Sequence, residues 1–186
     1  MNAADLVEKF SAAAAGAEPY KAVVALMKEL KSGIAGVAAA TDYLEGVGGN
    51  ALQAFYRAPN LSLLKVRFVR GRRTPPHNHG TWAAILQLTG CERNFVYKRN
   101  TDGSLTYERT VDMEPGDIIY MPDDAVHVVE CFGDTDATGL HVYGANVLGV
   151  TRSMWDPETV AEHPLDWSVY ESFAQRAMAL GRAPLT

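Results

Sequence analysis

The 186-residue sequence predicts a mainly β fold, an antiparallel sandwich or barrel framed by helices, and three observations predict it. Short runs rich in β-branched and aromatic residues follow one another from LSLLKVRFV at residue 61 to GLHVYGANV at residue 139. Turn-forming stretches, NTDG, EPGD and FGDTDATG, separate several of them at the intervals expected of antiparallel sheets. Ahead of this region alanine, leucine, lysine and glutamate dominate, and behind it WSVYESFAQRAMAL has amphipathic helical spacing. Taken in order, Asp5 stands where it would cap a first helix. Pro19 opens a second, with Val23, Val24, Leu26, Met27, Leu30 and Ile34 on one face. The chain changes character at TDYLEGVGGN, and strands are then expected over LSLLKVRFV, TWAAILQL, RNFVYKR, LTYERTV, DIIYM, AVHVVECF and GLHVYGANV. The expected organisation is one domain over 1–186: helices in 1–50, a barrel core in 51–150 and a helical extension in 151–186.

Composition narrows the function. With 47% apolar and 21% charged residues the chain reads as globular, and a net charge of -5 with a pI near 5.5 argues against nucleic-acid binding. The arginines and lysines between Lys65 and Arg99 read as a solvated face of the strands. Cys91 and Cys131 form no closely spaced metal pair and need no disulfide, which fits a reducing cytoplasm. The opening MNAADLVEKF has acidic residues and no apolar run, so no signal peptide is read there. The longest apolar tract, GIAGVAAA, is far short of the roughly 20 residues of a membrane span.

The chemistry concentrates in TPPHNHGTW, residues 74–82. His77 and His79 lie two apart, so on an extended strand both imidazoles leave from one face and can share a metal ion. Taken alone, the pair fits equally well two surface histidines on a polar strand edge. The surrounding spacing adds to it: Gly71 precedes His77 by six residues, Gly90 follows His79 by eleven, and Gly116, Pro122 and His127 follow in a Gly, five residues, Pro, four residues, His arrangement. These blocks resemble the two signature motifs of the cupin superfamily over roughly residues 60–147. The resemblance implies a double-stranded β-helix (jelly-roll) barrel with His77, His79 and His127 as metal ligands in its lumen. The position of the usual fourth ligand, a glutamate, holds Ala83. Three neutral imidazoles leave the ion's charge uncompensated and favour an anionic substrate such as a thiolate. A cupin that has lost its metal is the other reading.

A three-histidine cupin site resembles the thiol dioxygenases, of the cysteine dioxygenase and 3-mercaptopropionate dioxygenase kind. That family carries a Ser-x-His-x-Tyr triad after the second motif. Here GLHVYGANVLGVTR supplies His141 and Tyr143, with Gly139 in place of the serine, and the resemblance implies that His141 orients the Tyr143 hydroxyl toward substrate or oxygen. Without the resemblance His141 reads as a core histidine. Ala84 stands where animal members carry a crosslinking cysteine, so no crosslink is expected. Arg152, nine residues after Tyr143, and Arg57 in FYRAPN are the candidates for a substrate carboxylate, Arg152 having the tighter spacing match and Arg57 reading equally as a surface arginine. Trp82 and Trp155 are candidate pocket walls or core residues.

The implied protein is a cytoplasmic iron(II) enzyme, a monomer or homodimer, that takes a small thiol and O2 to a sulfinate, with nickel or zinc possible in purified protein and no nucleic-acid or membrane partner. Its alternatives are another cupin metalloenzyme or a non-catalytic ligand-binding cupin. Metal affinity is expected to fall as the histidines protonate near their ordinary pKa of about 6.5, with His163 playing no part.

Overall fold

The computed structural model describes residues 1–42, 51–181 and 184; from residue 43 the TDYLEGVGGN segment lies outside the described residues. Helix α1 (Ala3–Ala14) is capped by Asn2, not by Asp5. The Asn2 side chain accepts the Asp5 amide at 3.0 Å and Asp5 accepts the Asn2 amide at 2.7 Å, a reciprocal box that satisfies two amides of the first turn. Leu6, Phe10 and Ala14, spaced by four, form its buried stripe. Helix α2 (Pro19–Leu30) starts at Pro19 as expected, but it does not continue through Ile34. A 3-10 turn at Lys31–Gly33 interrupts the run and α3 (Ile34–Ala40) follows. Glycine costs about 1 kcal/mol in a helix interior, and Ser32 bonds back to the Glu29 carbonyl at 3.1 Å, so the break falls at Ser32-Gly33.

Two antiparallel sheets make up the rest. The first holds β1 (Ala51–Ala58), β2 (Leu61–Phe68), β9 (Ala137–Tyr143), β4 (Ala83–Thr89) and β7 (Ile118–Met121), in that order. The second holds β11 (Glu162–Pro164), β10 (Ser153–Trp155), β3 (His77–Asn78), β8 (Ala125–Phe132), β5 (Cys91–Arg99) and β6 (Leu105–Met113). From β2 onward the chain crosses repeatedly from one sheet to the other, which makes the expected double-stranded β-helix, or jelly roll. Among the described residues no helix is long and apolar enough to cross a membrane.

Period-two alternation sorts the side chains. In β4, Ala83 and Ile85 join the core between the sheets, whereas Ala84, Leu86 and Leu88 join the core formed with the helices, together with Leu6, Phe10, Val23 and Met27. Ala84 therefore faces away from Tyr143, while Ala83 is paired directly with it. Two expectations are corrected here, and the open reading of the two tryptophans is decided in favour of core. The extension after residue 151 is not wholly helical: Met154 of β10 pairs with His77, and the chain completes the second sheet before helix α4 (Trp167–Ala179) begins. The basic side chains from 65 to 99 are not all solvated, since Lys65 is buried under α3 with Nζ near the Ala38 carbonyl and Thr41 hydroxyl, and Arg73 is buried with its guanidinium 4.7 Å from the Phe95 ring centre. Neither Trp82 nor Trp155 lines the histidine cavity: Trp82 packs on the helix-side core, and Trp155 packs with Phe95, Tyr97, Val126 and Val128 and donates to the Gly103 carbonyl at 3.0 Å. Trp82 also explains Gly144, where a Cβ would lie 2.1 Å from the indole nitrogen.

Candidate metal centre

Register brings the three histidines together. β3 pairs with β8 so that His77 lies directly opposite His127, with ring centres 4.6 Å apart, and His79 follows two residues on from the same face. The intervening Asn78 points the other way: its side chain accepts the Ser153 amide at 2.8 Å and its carbonyl accepts Arg152 Nε at 3.0 Å. Gly80, at φ +64, lets the chain leave His79 against the Thr151 carbonyl, where a Cβ would sit 2.4 Å from the oxygen. Arg152 is thereby fastened beside the His-x-His pair.

One nitrogen from each of His77, His79 and His127 lies within 4.8 Å of the others, and His79 Nε2 is 3.3 Å from His127 Nε2. Two nitrogens each about 2.0–2.1 Å from one ion stand roughly 3 Å apart, so the donor set suits a divalent metal. Two imidazole nitrogens facing each other at that distance have a cation or a ring N–H between them, and burial works against a charged ring. His77 is pushed down to about 3, by burial first and by the Arg152 charge second, with the Pro75 carbonyl opposing. His79 and His127 are held well below the ordinary value by burial and then by neighbouring imidazoles. All three are thus neutral, the ligating form, far below pH 6.5, which corrects the expectation that proton competition sets in there. His77 Nδ1 donates to the Pro75 carbonyl at 3.0 Å and His127 Nδ1 to Asn94 Oδ1 at 2.8 Å, leaving both Nε2 atoms free for metal. Asn94 was not singled out from the sequence; its only signal there is an amide on the inward-facing register of RNFVYKR.

The cavity above the histidines has a volume of about 360 Å³. His141, Tyr143 and Arg152 line it together with the three histidines. His141 Nδ1 and the Tyr143 hydroxyl are hydrogen-bonded at 2.9 Å, and the Tyr143 ring centre is 5.0 Å from that of His79. Burial pushes His141 down to about 3 and Tyr143 up to about 12, the Arg152 charge partly offsetting the latter, so the pair is an imidazole and a phenol at neutral pH. His141 Nε2 is buried without a partner beside Gly139, where a Cβ would approach it to 3.0 Å. Arg152 has no carboxylate partner among the described residues, and Glu171, the one carboxylate lining the cavity, is paired with Arg72. Arg57 lies elsewhere: exposed on β1, it borders a shallow surface hollow with Tyr56 and Asn146. His163 is on β11, its ring edge-on to Phe173 at 5.5 Å.

The structure adds α4 to the site. Trp167 and Tyr170 line the cavity, and the Tyr170 ring centre is 6.4 Å from that of His77. Nothing in the amphipathic pattern of that helix indicates which part of the barrel it covers. Deeper in the barrel, Glu92 of β5 is fully buried with neither oxygen hydrogen-bonded, near Gln87, whose Nε2 is committed to the Thr89 carbonyl at 2.9 Å.

No family model matches the chain. Among solved structures it is similar to the DMSP lyase DddQ of Ruegeria pomeroyi, at 17% identity and a TM-score of 0.48, over 61% of this chain and 55% of the lyase. It is similar also to an RmlC-like cupin with a double-stranded β-helix from Methanocaldococcus jannaschii, at 9% identity and a TM-score of 0.46, over 57% of this chain and 90% of that one. A third, the Bacillus subtilis oxalate decarboxylase studied for its Mn(II) centres, is 20% identical with a TM-score of 0.47, over 61% of this chain and 30% of the decarboxylase. The chain thus spans about half of the lyase and under a third of the decarboxylase.

Proposed function

We propose that this protein is a mononuclear iron(II) thiol dioxygenase that converts a small carboxylate-bearing thiol, 3-mercaptopropionate or cysteine, to its sulfinate. One observation carries the reading: three neutral, carboxylate-free imidazoles face a cavity in which Arg152 has no acidic partner. A divalent ion there and a guanidinium beside it both call for an anion, and a thiol acid supplies two. Iron(II), when bound, supplies affinity for the thiolate and the electron exchange with dioxygen. His77, His79 and His127 would hold it.

The chain's own groups do the rest. Arg152 is tethered through Nε to the Asn78 carbonyl, which leaves the terminal nitrogens of its planar fork to bind the carboxylate. Tyr143, kept protonated by burial, presents a hydroxyl to the reacting end of the substrate, and His141 fixes its direction at 2.9 Å. The apolar walls formed by Leu64, Val66 and Phe68 exclude bulk water, which strengthens each of these interactions. The overall change balances without a further reductant: a thiolate and O2 give a sulfinate, two S–O bonds forming as the O–O bond breaks, with four electrons passing from sulfur to oxygen.

Oxygen uptake by iron-reconstituted protein tests the reading, with 3-mercaptopropionate, cysteine and cysteamine as substrates. A hydrogen bond to a charged group is worth roughly 1.5–3 kcal/mol, so Arg152→Ala should lower kcat/KM for the carboxylate thiols by about 10- to 150-fold and barely change it for cysteamine. Arg57→Ala should change none of them. A carboxylate-specific loss at Arg57 with none at Arg152 would relocate the substrate, and no thiol-dependent uptake in any form would end the proposal.

A further inference from the structure

We infer that the substrate carries an apolar group besides its thiol and carboxylate, seated at the cavity mouth against Leu52, Leu148 and Trp167. The inference rests on the thiol dioxygenase reading and moves its preferred substrate from the parent thiol acids to a substituted one. 3-Mercaptopropionate has six non-hydrogen atoms; even at the roughly 30 Å³ that a water molecule takes in the liquid, they fill no more than about 180 Å³. The cavity has about 360 Å³. Iron and dioxygen, counted the same way, take roughly 90 Å³ more, so about a quarter of it is left over, beside an outer wall where Leu52, Leu148 and Trp167 stand with Arg67 and Glu171.

The cavity is polarised. The histidines, Tyr143 and Arg152 occupy its inner part. At its rim stand Leu52, Leu148 and Trp167, which are 41%, 40% and 53% exposed. These three come from β1, from the loop after β9 and from the first turn of α4, and only the tertiary fold brings them to one opening. Single exposed apolar residues need no explanation, but a group of them around a functional opening marks a binding surface. The loop that carries Leu148 is fastened rather than loose: the Ser62 hydroxyl donates to the Ala145 carbonyl at 2.5 Å and accepts the Val147 amide at 3.1 Å. Trp167 is steadied by Tyr170, with ring centres 5.0 Å apart. Thiolate and carboxylate are both engaged inside, so the apolar group must branch from the carbons between them. The fitting class is a 3-mercaptopropionate substituted at carbon 2, for which the 2-benzyl acid is a probe.

Calorimetric titration under argon separates this from the activity itself. Propanoate and 2-benzylpropanoate, which lack the thiol, and the two corresponding thiol acids are titrated into wild type, Trp167→Ala and Leu148→Asn. The phenyl ring should tighten binding on the order of 10- to 100-fold in wild type. That preference should shrink at least threefold in each rim variant, both of which change an exposed side chain, while the unbranched acids bind as before. Equal affinity for branched and unbranched acids, or a preference that both variants leave intact, overturns the inference. Oxygen uptake with the two thiols then distinguishes the failures. Turnover of 3-mercaptopropionate with exclusion of the benzyl acid sinks the apolar mouth and keeps the dioxygenase; a benzyl preference without uptake keeps the apolar mouth and sinks the dioxygenase.

Discussion

Replacing Glu92 with glutamine should stabilise the protein at alkaline pH and leave it nearly unchanged at acid pH. Burial pushes the Glu92 carboxyl up from 4.5 to about 7, with Gln87 opposing only in part. The folded chain then holds this proton more tightly than the unfolded chain does. The favourable contribution is fully present below pH 4.5 and is lost as pH rises through 7. The interval between 4.5 and 7 corresponds to about 3 kcal/mol, expressed almost completely by pH 8.5. Glutamine has the same shape and stays neutral throughout. The assay is guanidinium unfolding of chelator-treated wild type and Glu92→Gln at pH 5 and pH 8.5. The two should agree within about 1 kcal/mol at pH 5, and the variant should lead by about 3 kcal/mol at pH 8.5, or roughly 6–12 °C in Tm for a chain of this size. The buried histidines act in the opposite sense, their contribution being lost as pH falls below 6.5, but both proteins share them and the difference cancels them. A gap that is the same at both pH values, or a variant less stable at pH 8.5, would refute the assignment of a neutral buried acid.

Other outcomes follow from the site. Tyr143→Phe should retain metal and slow oxygen uptake by ~10²–10⁴-fold, since only the positioned hydroxyl is lost; unchanged turnover would make Tyr143 a packing residue. Asn94→Leu removes the acceptor that fixes His127 Nδ1 and should weaken metal binding about 10- to 100-fold in a chelator competition, whereas unaltered affinity would show that the strand pairing alone holds the ring. Metal affinity of the folded protein should stay level from pH 8 down past 6.5 because the ligands are already neutral; a decline centred at 6.5 in the same competition would contradict that. His163→Ala should bind metal as wild type does, and loss of the ion in that variant would show the centre to be wrongly drawn.

Whatever depends on neighbours along the chain was legible before the structure. The alternation of apolar side chains gives away the strands β2, β4, β5 and β9, and two histidines two apart must share a face of extended backbone whatever the fold. Segments too short or too irregular to show a period were missed: two-residue β3, three-residue β10 and β11, and β1, whose pairing with β2 is interrupted by a bulge between Ala54 and Tyr56. The helix break at Ser32-Gly33 was overlooked because the apolar spacing runs straight through it.

By itself, then, the sequence determined ligand chemistry: which imidazoles exist, that Ala83 offers no carboxylate, and that His141 and Tyr143 leave one strand on the same side. Only the tertiary structure decided that His77 meets His127 across a strand pair, that Arg152 rather than Arg57 opens into the cavity, that Asn94 meets the His127 ring and that α4 roofs the site. Burial belongs to the same class, and it overrode the charge pattern at Lys65, Arg73 and Glu92. The reason is the range of the forces involved. Backbone geometry and side-chain period act over a few residues and are written locally, whereas desolvation, register and the free valence of a guanidinium depend on which distant segment packs alongside, and that exists only once the two sheets have closed on each other.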